Sequence, residues 1–333
     1  MSSNSATLFL RFGKRGIHMA QKQGSDQPSV QELIAKASNK KQKKIIEKLI
    51  PIILFLIASV SVLTTFGIVG TLITETVIFF SRIPILDFIF GTEWFPFANT
   101  EPQYGILALI AGTLKVTFIA VIVAVPFGIG SAIFLSEYAS DNVRRIIKPI
   151  LEVLAGIPTI VYGFFALTFV TPLLQQIIPE LKIFNALSPG IVVGIMILPM
   201  IASLSEDAMS AVPRSIREGA LAMGSTKLEV ALKVVLPAAL SGIIASVVLA
   251  VSRAIGETMI VSLAGGSTPT FDLDVTGSIQ TMTAYIVQVS SGDAGYGTTI
   301  YYSIYSVGFT LFLFTLLMNI IAHVISKKYR EEY

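Results

Sequence analysis

Three charged side chains lie inside segments that are otherwise apolar. Arg253 and Glu257 stand four residues apart in one such segment, and Lys115 lies in another. Placing an ionised group in the middle of a bilayer costs on the order of 3 kcal/mol, so charges of this kind usually face a protein interior and mark the path of an ion. We interpret the three residues as candidate contacts along the path of an anion. In this interpretation Arg253 supplies positive potential and Glu257 orients it.

A purely structural role is the alternative for the same three residues. Residues four apart share one face of a helix, so Arg253 and Glu257 are expected on a common face, where they could form a self-contained ion pair. The long apolar stem of Lys115 would allow its ammonium group to reach the membrane surface or another subunit. The sequence leaves both interpretations open.

Residue types that other chemistry requires are missing or scattered. The chain has no cysteine, and its two histidines, His18 and His323, lie near opposite ends, so neither a disulfide nor a metal site is expected. No phosphate-binding loop of the Gly-x4-Gly-Lys-Ser/Thr type occurs, so ATP hydrolysis would have to come from a separate protein. We predict a protein that is not an enzyme and binds no cofactor of its own.

The composition is that of a membrane protein. Hydrophobic residues make up 53% of the 333 residues and charged residues 14%, whereas ordinary soluble domains contain about 25% charged residues. Six segments are long enough to cross a hydrocarbon core, which takes about 20 apolar residues per helix. These segments are residues 49–80, 105–137, 150–179, 187–209, 237–264 and 298–326. The predicted fold class is an all-α membrane protein with six transmembrane helices.

The distribution of Lys and Arg predicts how the protein is oriented. Twenty of the 24 basic residues fall in residues 1–49, in the loops after the second and fourth spans, or in the C-terminal tail. Cytoplasmic loops are enriched in basic residues, so we expect a multi-pass protein of the cytoplasmic membrane with both termini in the cytoplasm. Residues 1–49 would form a polar cytoplasmic arm, and residues 50–333 the transmembrane domain. The net charge of +3 follows from this orientation, and nothing indicates a nucleic-acid partner.

The loop at residues 212–237, between the fourth and fifth spans, has the pattern of two short helices. Pro213 suits a first helical turn, and Ser215 with Glu218 has the spacing of a capping box. Gly224 can adopt the left-handed conformation that ends a helix. We therefore expect the first helix to end at Gly224.

The second helix of this loop has a similar start signal. Thr226 with Glu229 repeats the capping-box spacing, and Pro237 is expected to begin the fifth span. Three residues of the first helix predict an apolar stripe that could enter a groove on another protein: Ile216, Ala220 and Met223. A helix that lies on the bilayer surface is the alternative interpretation.

Gly and Pro interrupt several spans, at residues 126–130, 156–158 and 198–199. Proline removes a backbone donor and kinks a helix, so we expect breaks at these points. They would serve either as ordinary packing sites or as hinges along a path. The aromatic residues 94–97 are expected at the membrane–water interface, with contact to an extracytoplasmic partner as the alternative.

The 212–237 loop resembles the EAA loop of ABC-type importer permeases. The residues that carry the resemblance keep the spacing of that loop: Glu218, Gly219, Ala220, Gly224, Leu236 and Pro237. Gly219 stands where Ala is common, and Val234 where Ile is common. The resemblance implies that these six residues couple the chain to an ATPase.

Motifs in the spans resemble the phosphate-specific transport permeases, in particular their PstC-like subunits. The motifs are residues 112–114, 155–163, 197–199 and 253–259, of which Arg-Ala-Ile-Gly-Glu-Thr is the most specific. The resemblance implies an importer of inorganic phosphate, and it implies that Arg253 and Glu257 take part in transport.

The resemblance also implies a set of partners. They are a second, homologous permease chain (PstA-like), a dimeric P-loop ATPase that uses ATP (PstB-like) and an extracytoplasmic phosphate-binding protein (PstS-like), together with membrane lipid. The alternatives are a permease for another oxyanion such as sulfate or molybdate, a secondary transporter or channel that needs no nucleotide, and a membrane scaffold that transports nothing.

Overall fold

A computed structural model describes residues 40–98 and 101–328, and most of these residues are helical. The chain divides into two compact units, residues 1–69 and 70–333. The described part of the first unit is the beginning of helix α1, Lys40–Phe80, which runs through Pro51. Its side chains from Leu49 to Ile68 are almost all exposed. A helix that is apolar on all sides is typical of a membrane span.

The second unit continues from the end of α1 into a short helix and a hairpin. Helix α2 comprises Ile85–Phe90, and strands β1, Trp94–Phe95, and β2, Gln103–Tyr104, pair in antiparallel fashion. Trp94 is fully buried, and its ring makes edge contacts with the rings of Tyr104 and Tyr285. The Trp94 ring is therefore enclosed by other aromatic side chains, whereas Phe95 and Phe97 are exposed. The position of residues 94–97 at a membrane surface stays a prediction.

Two long helices form the centre of the second unit. Helix α3, Leu107–Ile133, ends in a π-helical turn at Phe134–Tyr138. Its contact with helix α7, Leu187–Ser210, is the most extensive between any two elements of the described chain. A Cβ on Gly190 would lie 2.7 Å from a side-chain carbon of Ile119, so this glycine allows the close approach of the two helices.

The expected breaks at two of the prolines are not present. Helix α3 continues through Pro126, and α7 continues through Pro199. Neighbouring helices and local adjustment make proline tolerable inside membrane helices. The expected break at residues 156–158 is present. Helix α4, Asp141–Gly156, ends before Pro158, and the next helical segment turns away by 87°.

The segment after that bend, Thr159–Gln175, consists of α5, Thr159–Phe165, a π-helical turn at Ala166–Val170, and α6, Thr171–Gln175. The remaining helices of the described chain are α8 (Arg214–Ala222), α9 (Lys227–Val230), α10 (Leu236–Ala238), α11 (Leu240–Ile255), α12 (Met259–Ala264), α13 (Met282–Gln288) and α14 (Thr299–Lys328). Further π-helical turns follow α9, at Ala231–Val235, and α13, at Val289–Asp293.

The described helices support an all-α membrane protein. Four of them are long and apolar enough to cross a bilayer: Glu47–Phe80, Leu107–Tyr138, Leu187–Ser210 and Thr299–Lys327. The number rises to six if two bent pairs each count as one crossing. The bends fall in the predicted third and fifth spans, at residues 150–179 and 237–264, so neither is one straight helix.

Candidate functional site: the 212–237 loop and the charged residues of the spans

Helix α8 begins the 212–237 loop. It starts at Arg214 with Pro213 as its N-cap, and no side chain caps it. The predicted capping box of Ser215 and Glu218 is therefore wrong, because the helix begins too early in the chain for Ser215 to act as its cap. Gly224 has a φ of +89° just after the helix, which confirms the predicted left-handed bend.

The second half of the loop starts as predicted. The backbone N–H of Thr226 donates to Glu229 Oε2 at 3.0 Å, and the backbone N–H of Glu229 donates to Thr226 Oγ1 at 3.3 Å. This confirms the capping box. The helical segment Lys227–Ala238 then meets α11 at an angle of 73°. The main helix of the fifth span thus begins at Leu240, not at Pro237.

Most of the residues that carry the resemblance to the EAA loop are exposed on α8 and its bend. Glu218, Gly219 and Gly224 are exposed, and the side chain of Met223 is 87% exposed. Ile216 and Ala220 instead pack against a buried group that we call the loop-end cluster: Ala132, Met209, Val212, Val230, Val235, Ala239 and Ile243. The expected stripe is therefore divided, since only Met223 is free to meet another protein.

The last two residues of the EAA-like pattern lie at the base of the loop. Leu236 is half-buried against the loop-end cluster, whereas Pro237 is exposed. Both lie in the short helix α10, next to the 73° bend. Packing of Leu236 thus attaches the base of the loop to the rest of the second unit.

The side chain of Arg217 extends from α8 toward the C-terminal ends of α7 and α3 and is 17% exposed. Its Nη1 and Nη2 donate to the backbone carbonyls of Val212 at 2.5 Å and Met209 at 2.6 Å. Its Nε donates to Glu137 Oε1 at 3.1 Å. One guanidinium group therefore connects α8 with the C-terminal ends of α7 and α3.

A second group of charges lies at the same end of α7. Glu206 is 2% exposed, and Lys148 Nζ lies 2.5 Å from its Oε2. Arg144 Nε lies 3.7 Å from Oε1 of the same carboxylate, and Ser210 Oγ donates to that oxygen at 3.0 Å. Lys148 also contacts Asp207 at 2.8 Å. The two cations of α4 thereby neutralise a carboxylate that would be costly to bury alone.

Arg253 lies in the last turn of α11, and its side chain is exposed. Leu249, one turn earlier on the same face, is 53% exposed. Among residues 40–98 and 101–328, no carboxylate lies within ion-pair distance of the Arg253 guanidinium. Arg253 is thus a cation without a counter-ion on an otherwise apolar helix face.

Glu257 does not share a helix face with Arg253, which corrects the sequence-based expectation. Helix α11 ends at Ile255, and Glu257 lies in the break before α12. Its Oε1 accepts hydrogen bonds from the backbone N–H groups of Met259 at 3.1 Å and Ile260 at 3.4 Å. The carboxylate is therefore occupied by the start of α12, and the alternative of a self-contained ion pair with Arg253 is not found.

Lys115 is paired within the chain. Its side chain is 8% exposed, and its Nζ lies 2.5 Å from Oδ1 of Asp272 and 3.1 Å from the backbone carbonyl of Asp274. Both partners belong to the segment between α12 and α13. The hydrogen bond from Lys115 lowers the pKa of the Asp272 carboxyl, and hydrogen bonds from Thr276 lower the pKa of Asp274.

The structure does not join the three predicted charges into one cluster. Lys115 pairs with Asp272, Glu257 binds backbone groups, and Arg253 has no ionic partner among the described residues. Sequence spacing could not indicate Asp272 or Glu137, because each lies far along the chain from its partner, by 157 positions for Lys115 and 80 for Arg217.

Comparison of the sequence with known proteins places the chain in a family. Residues 124–331 match the family described as binding-protein-dependent transport system inner membrane component. The chain is 34% identical to the probable ABC transporter permease protein YqgH of Bacillus subtilis, over 73% of this chain and 78% of that protein. It is also 34% identical to the phosphate transport system permease protein PstC of Xylella fastidiosa, over 72% of this chain and 78% of that one.

Solved structures of low sequence identity share the fold. A chain of a bacterial alginate ABC transporter, solved in complex with an alginate-bound periplasmic protein, superimposes with a TM-score of 0.58 at 16% identity and covers 89% of this chain and 98% of its own length. Inward-facing MetNI methionine ABC transporter gives a TM-score of 0.50 at 18% identity, covering 68% of this chain and 95% of its own. From the extent of the family match and the identity to its curated relatives, this chain belongs to the binding-protein-dependent transport system inner membrane components.

Proposed function

We propose that this chain is the transmembrane permease subunit of an ATP-driven importer of inorganic phosphate. The observation that carries the proposal is Arg253, an exposed cation on the apolar surface of α11 that has no counter-ion among the residues that the structure describes. Such a charge is unfavourable against lipid, so it belongs on a surface that meets a second subunit and an anion. The phosphate transport permeases among the relatives support phosphate as that anion.

Membership of the family defines the general activity. The chain is a multi-pass membrane permease and not an enzyme, and it works with an ATPase and a substrate-binding protein. We assign the specific partners by analogy with the phosphate permeases: a second, PstA-like permease chain, two copies of a PstB-like ATPase and a PstS-like phosphate-binding protein. ATP is bound and hydrolysed by the ATPase, and no cofactor is assigned to this chain.

The 212–237 loop is the contact with the ATPase in this proposal. Its exposed residues Glu218, Gly219 and Met223 form the surface that the ATPase meets. The basic residues of this loop and of residues 1–49 favour a cytoplasmic position for both. Lys115 and Asp272 would then lie toward the opposite, extracytoplasmic side.

Lys115 and Glu257 have separate roles in the same path. Lys115 is a nearly buried cation whose ionic partner, Asp272, is itself 48% exposed on a connecting segment. An incoming phosphate would compete with the Asp272 carboxylate for this ammonium group. Glu257 acts through the backbone by holding the start of α12 directly after Arg253, so it positions the segment that follows the arginine.

The first test is Arg253→Ala, which we expect to lower phosphate uptake at least about tenfold, the effect of losing about 1.4 kcal/mol of interaction with the anion. Uptake of radiolabelled inorganic phosphate is measured in cells that have no other route for it. Arg145→Ala is the matched control, because Arg145 is an exposed arginine of α4 outside the proposed path. Unlabelled sulfate and molybdate are added as competitors.

Glu257→Gln separates charge from backbone capping. Glutamine keeps a side-chain oxygen for Met259 and Ile260, so the start of α12 is preserved while the negative charge is removed. Loss of uptake in this variant, with normal amounts of protein in the membrane, supports a role for the charge.

Wild-type uptake by Arg253→Ala, or competition by sulfate equal to that by phosphate, contradicts the phosphate path.

A further inference from the structure

Arg217 lies next to Glu218 in α8, but it serves the opposite side of the helix. Glu218 is exposed, whereas the Arg217 side chain is 17% exposed and its carboxylate partner Glu137 is 10% exposed. The guanidinium therefore lies between the proposed ATPase contact and the membrane helices. Any displacement of α8 by the ATPase must act on these contacts.

The hydrogen bonds of Arg217 use three of its nitrogens on two other elements. Two of them bind carbonyls at and just after the C-terminal end of α7: that of Met209, which also accepts the backbone N–H of Val212, and that of Val212 itself. Carbonyls at a helix C-terminus lack partners inside the helix. The third reaches Glu137 in the π-helical turn that ends α3. Arginine suits this arrangement, because its donors are fixed in one rigid plane.

The other contacts between α8 and the rest of the chain are of a different kind. Ile216 and Ala220 pack against the loop-end cluster, and apolar packing has no strict directional requirement. Arg217 instead makes short hydrogen bonds to two carbonyl oxygens and one carboxylate oxygen. Such bonds weaken steeply when the donor–hydrogen–acceptor angle changes. Arg217 is thus the directional connection between α8 and the ends of α3 and α7.

The two helices that Arg217 joins form one closely packed pair. A Cβ on Gly194 of α7 would lie 2.9 Å from the backbone carbonyl of Ala120 in α3, so the two helix backbones are in close contact at this point. A shift that Arg217 imposes at Glu137 and Met209 is therefore transmitted along both helices, since tightly packed interiors transmit strain.

We infer that Arg217, with Glu137 as its partner, is the positioning residue that converts movement of α8 into movement of α3 and α7. This inference rests on the proposed function, because it assumes that an ATPase displaces α8. Arg217 itself touches neither ATP nor phosphate. Its loss separates ATP hydrolysis from transport and leaves the two binding partners in place.

The test measures phosphate transported per ATP hydrolysed by the complete transporter reconstituted in lipid vesicles. Arg217→Lys keeps the positive charge but cannot make three directional bonds to three separate oxygens from one plane. We expect this ratio to fall at least about fivefold, within the usual range of coupling energies. The amount of ATPase that co-purifies is expected to be unchanged. Arg145→Ala is the control, because Arg145 is an exposed arginine outside the 212–237 loop.

Glu137→Ala is the second variant, and it keeps the bonds from Arg217 to the end of α7. It is expected to lower the ratio in the same direction, and to add little to Arg217→Lys when the two are combined, because both remove the same connection. Should Arg217→Lys fail to assemble, Glu137→Ala decides the question. An unchanged ratio in assembled Arg217→Lys, or in Glu137→Ala, overturns the inference. If the wild-type transporter shows no ATP-driven phosphate uptake, the proposed function fails instead.

Discussion

The ion pair between Lys115 and Asp272 joins a connecting segment to α3, and backbone N–H groups of residues 182–187 bind the same segment at Val275 and Thr276. Lys115 is nearly buried in α3, and it binds both the Asp272 carboxylate and the backbone carbonyl of Asp274. Both bonds hold the segment between α12 and α13 against α3. An anion that takes the place of Asp272 would release one of them.

Acidification is expected to loosen this segment. The pKa of Asp272 is lowered in the folded protein, so its contribution to stability is complete above the ordinary aspartate pKa of about 3.9 and is lost as the pH falls through the lower, folded value. Hydrogen exchange of residues 265–281, corrected for the intrinsic rate, should therefore be slow at neutral pH and faster near pH 3, a value chosen as roughly one unit below that ordinary pKa.

Asp274 and Lys182 also lie near this pair, so the variants must distinguish the carboxylates. Asp272→Asn should exchange quickly at both pH values, whereas Asp274→Asn should retain most of the pH dependence that belongs to Asp272. Equal protection of the wild-type segment at both pH values would show that the Lys115 ion pair does not hold it.

Helix α8 and its bend make different demands on two glycines. Gly224 needs the left-handed conformation, with φ at +89°, whereas Gly219 is an ordinary helical residue and a Cβ added there would meet no other atom within 4 Å. The EAA-like resemblance treats both as coupling residues. Their backbone conformations predict opposite effects of the same substitution.

Gly224→Ala is expected to destabilise the loop by about 1–2 kcal/mol, the cost of a left-handed conformation for a residue with a Cβ. Gly219→Ala is expected to stabilise α8 by up to about 1 kcal/mol, because alanine favours helix more than glycine does. Hydrogen exchange of residues 212–237 measures both effects, and co-purified ATPase should fall for Gly224→Ala alone. Equal results for the two variants would mean that the bend does not shape the ATPase contact.

Whether a proline or glycine interrupts a long helix depends on its surroundings as well as on the local sequence. Pro126 and Pro199 lie inside continuous helices, whereas the helical chain is interrupted at Pro158 and again between Ile255 and Met259. At the second of these breaks the hydroxyl of Thr283 donates to the backbone carbonyl of Glu257 at 2.8 Å. A residue 26 positions along the chain therefore binds a backbone carbonyl inside the interruption between α11 and α12.

The whole protein must place its two connecting regions on opposite sides of the membrane if the proposal is correct. Met223 in the 212–237 loop is 87% exposed, and Leu273 in the segment after α12 is 94% exposed. Because the chain has no cysteine, a cysteine introduced at either residue is unique. These two residues therefore allow a direct measurement of orientation.

Leu273→Cys in intact cells is expected to react with a maleimide that cannot cross the membrane, and Met223→Cys only after the membrane is opened. The reason is the excess of basic residues around the 212–237 loop and in residues 1–49, which favours the cytoplasmic side. Phosphate uptake by each unlabelled variant is the control for a functional fold. Labelling of Met223→Cys in intact cells would refute the ATPase contact.

Much of the architecture could be predicted from local patterns. The length of the apolar segments indicated a helical membrane protein, and the spacing of Gly224, Thr226 and Glu229 predicted a bend followed by a capped helix. These features depend on residues within a few positions of one another. Helix capping and hydrophobic periodicity are local, so the sequence is enough to identify them.

The partners of the charged residues could not be obtained in this way. The carboxylate of Glu257 binds the start of α12 and not Arg253, Lys115 meets Asp272, and Arg217 meets Glu137. Trp94 likewise packs against the ring of Tyr285, which is remote from it in sequence. Residue types and spacing thus established the class of protein and where its charges occur in the chain. Folding selected their partners, because hydrogen bonds and ion pairs depend on distances between elements that are remote in sequence.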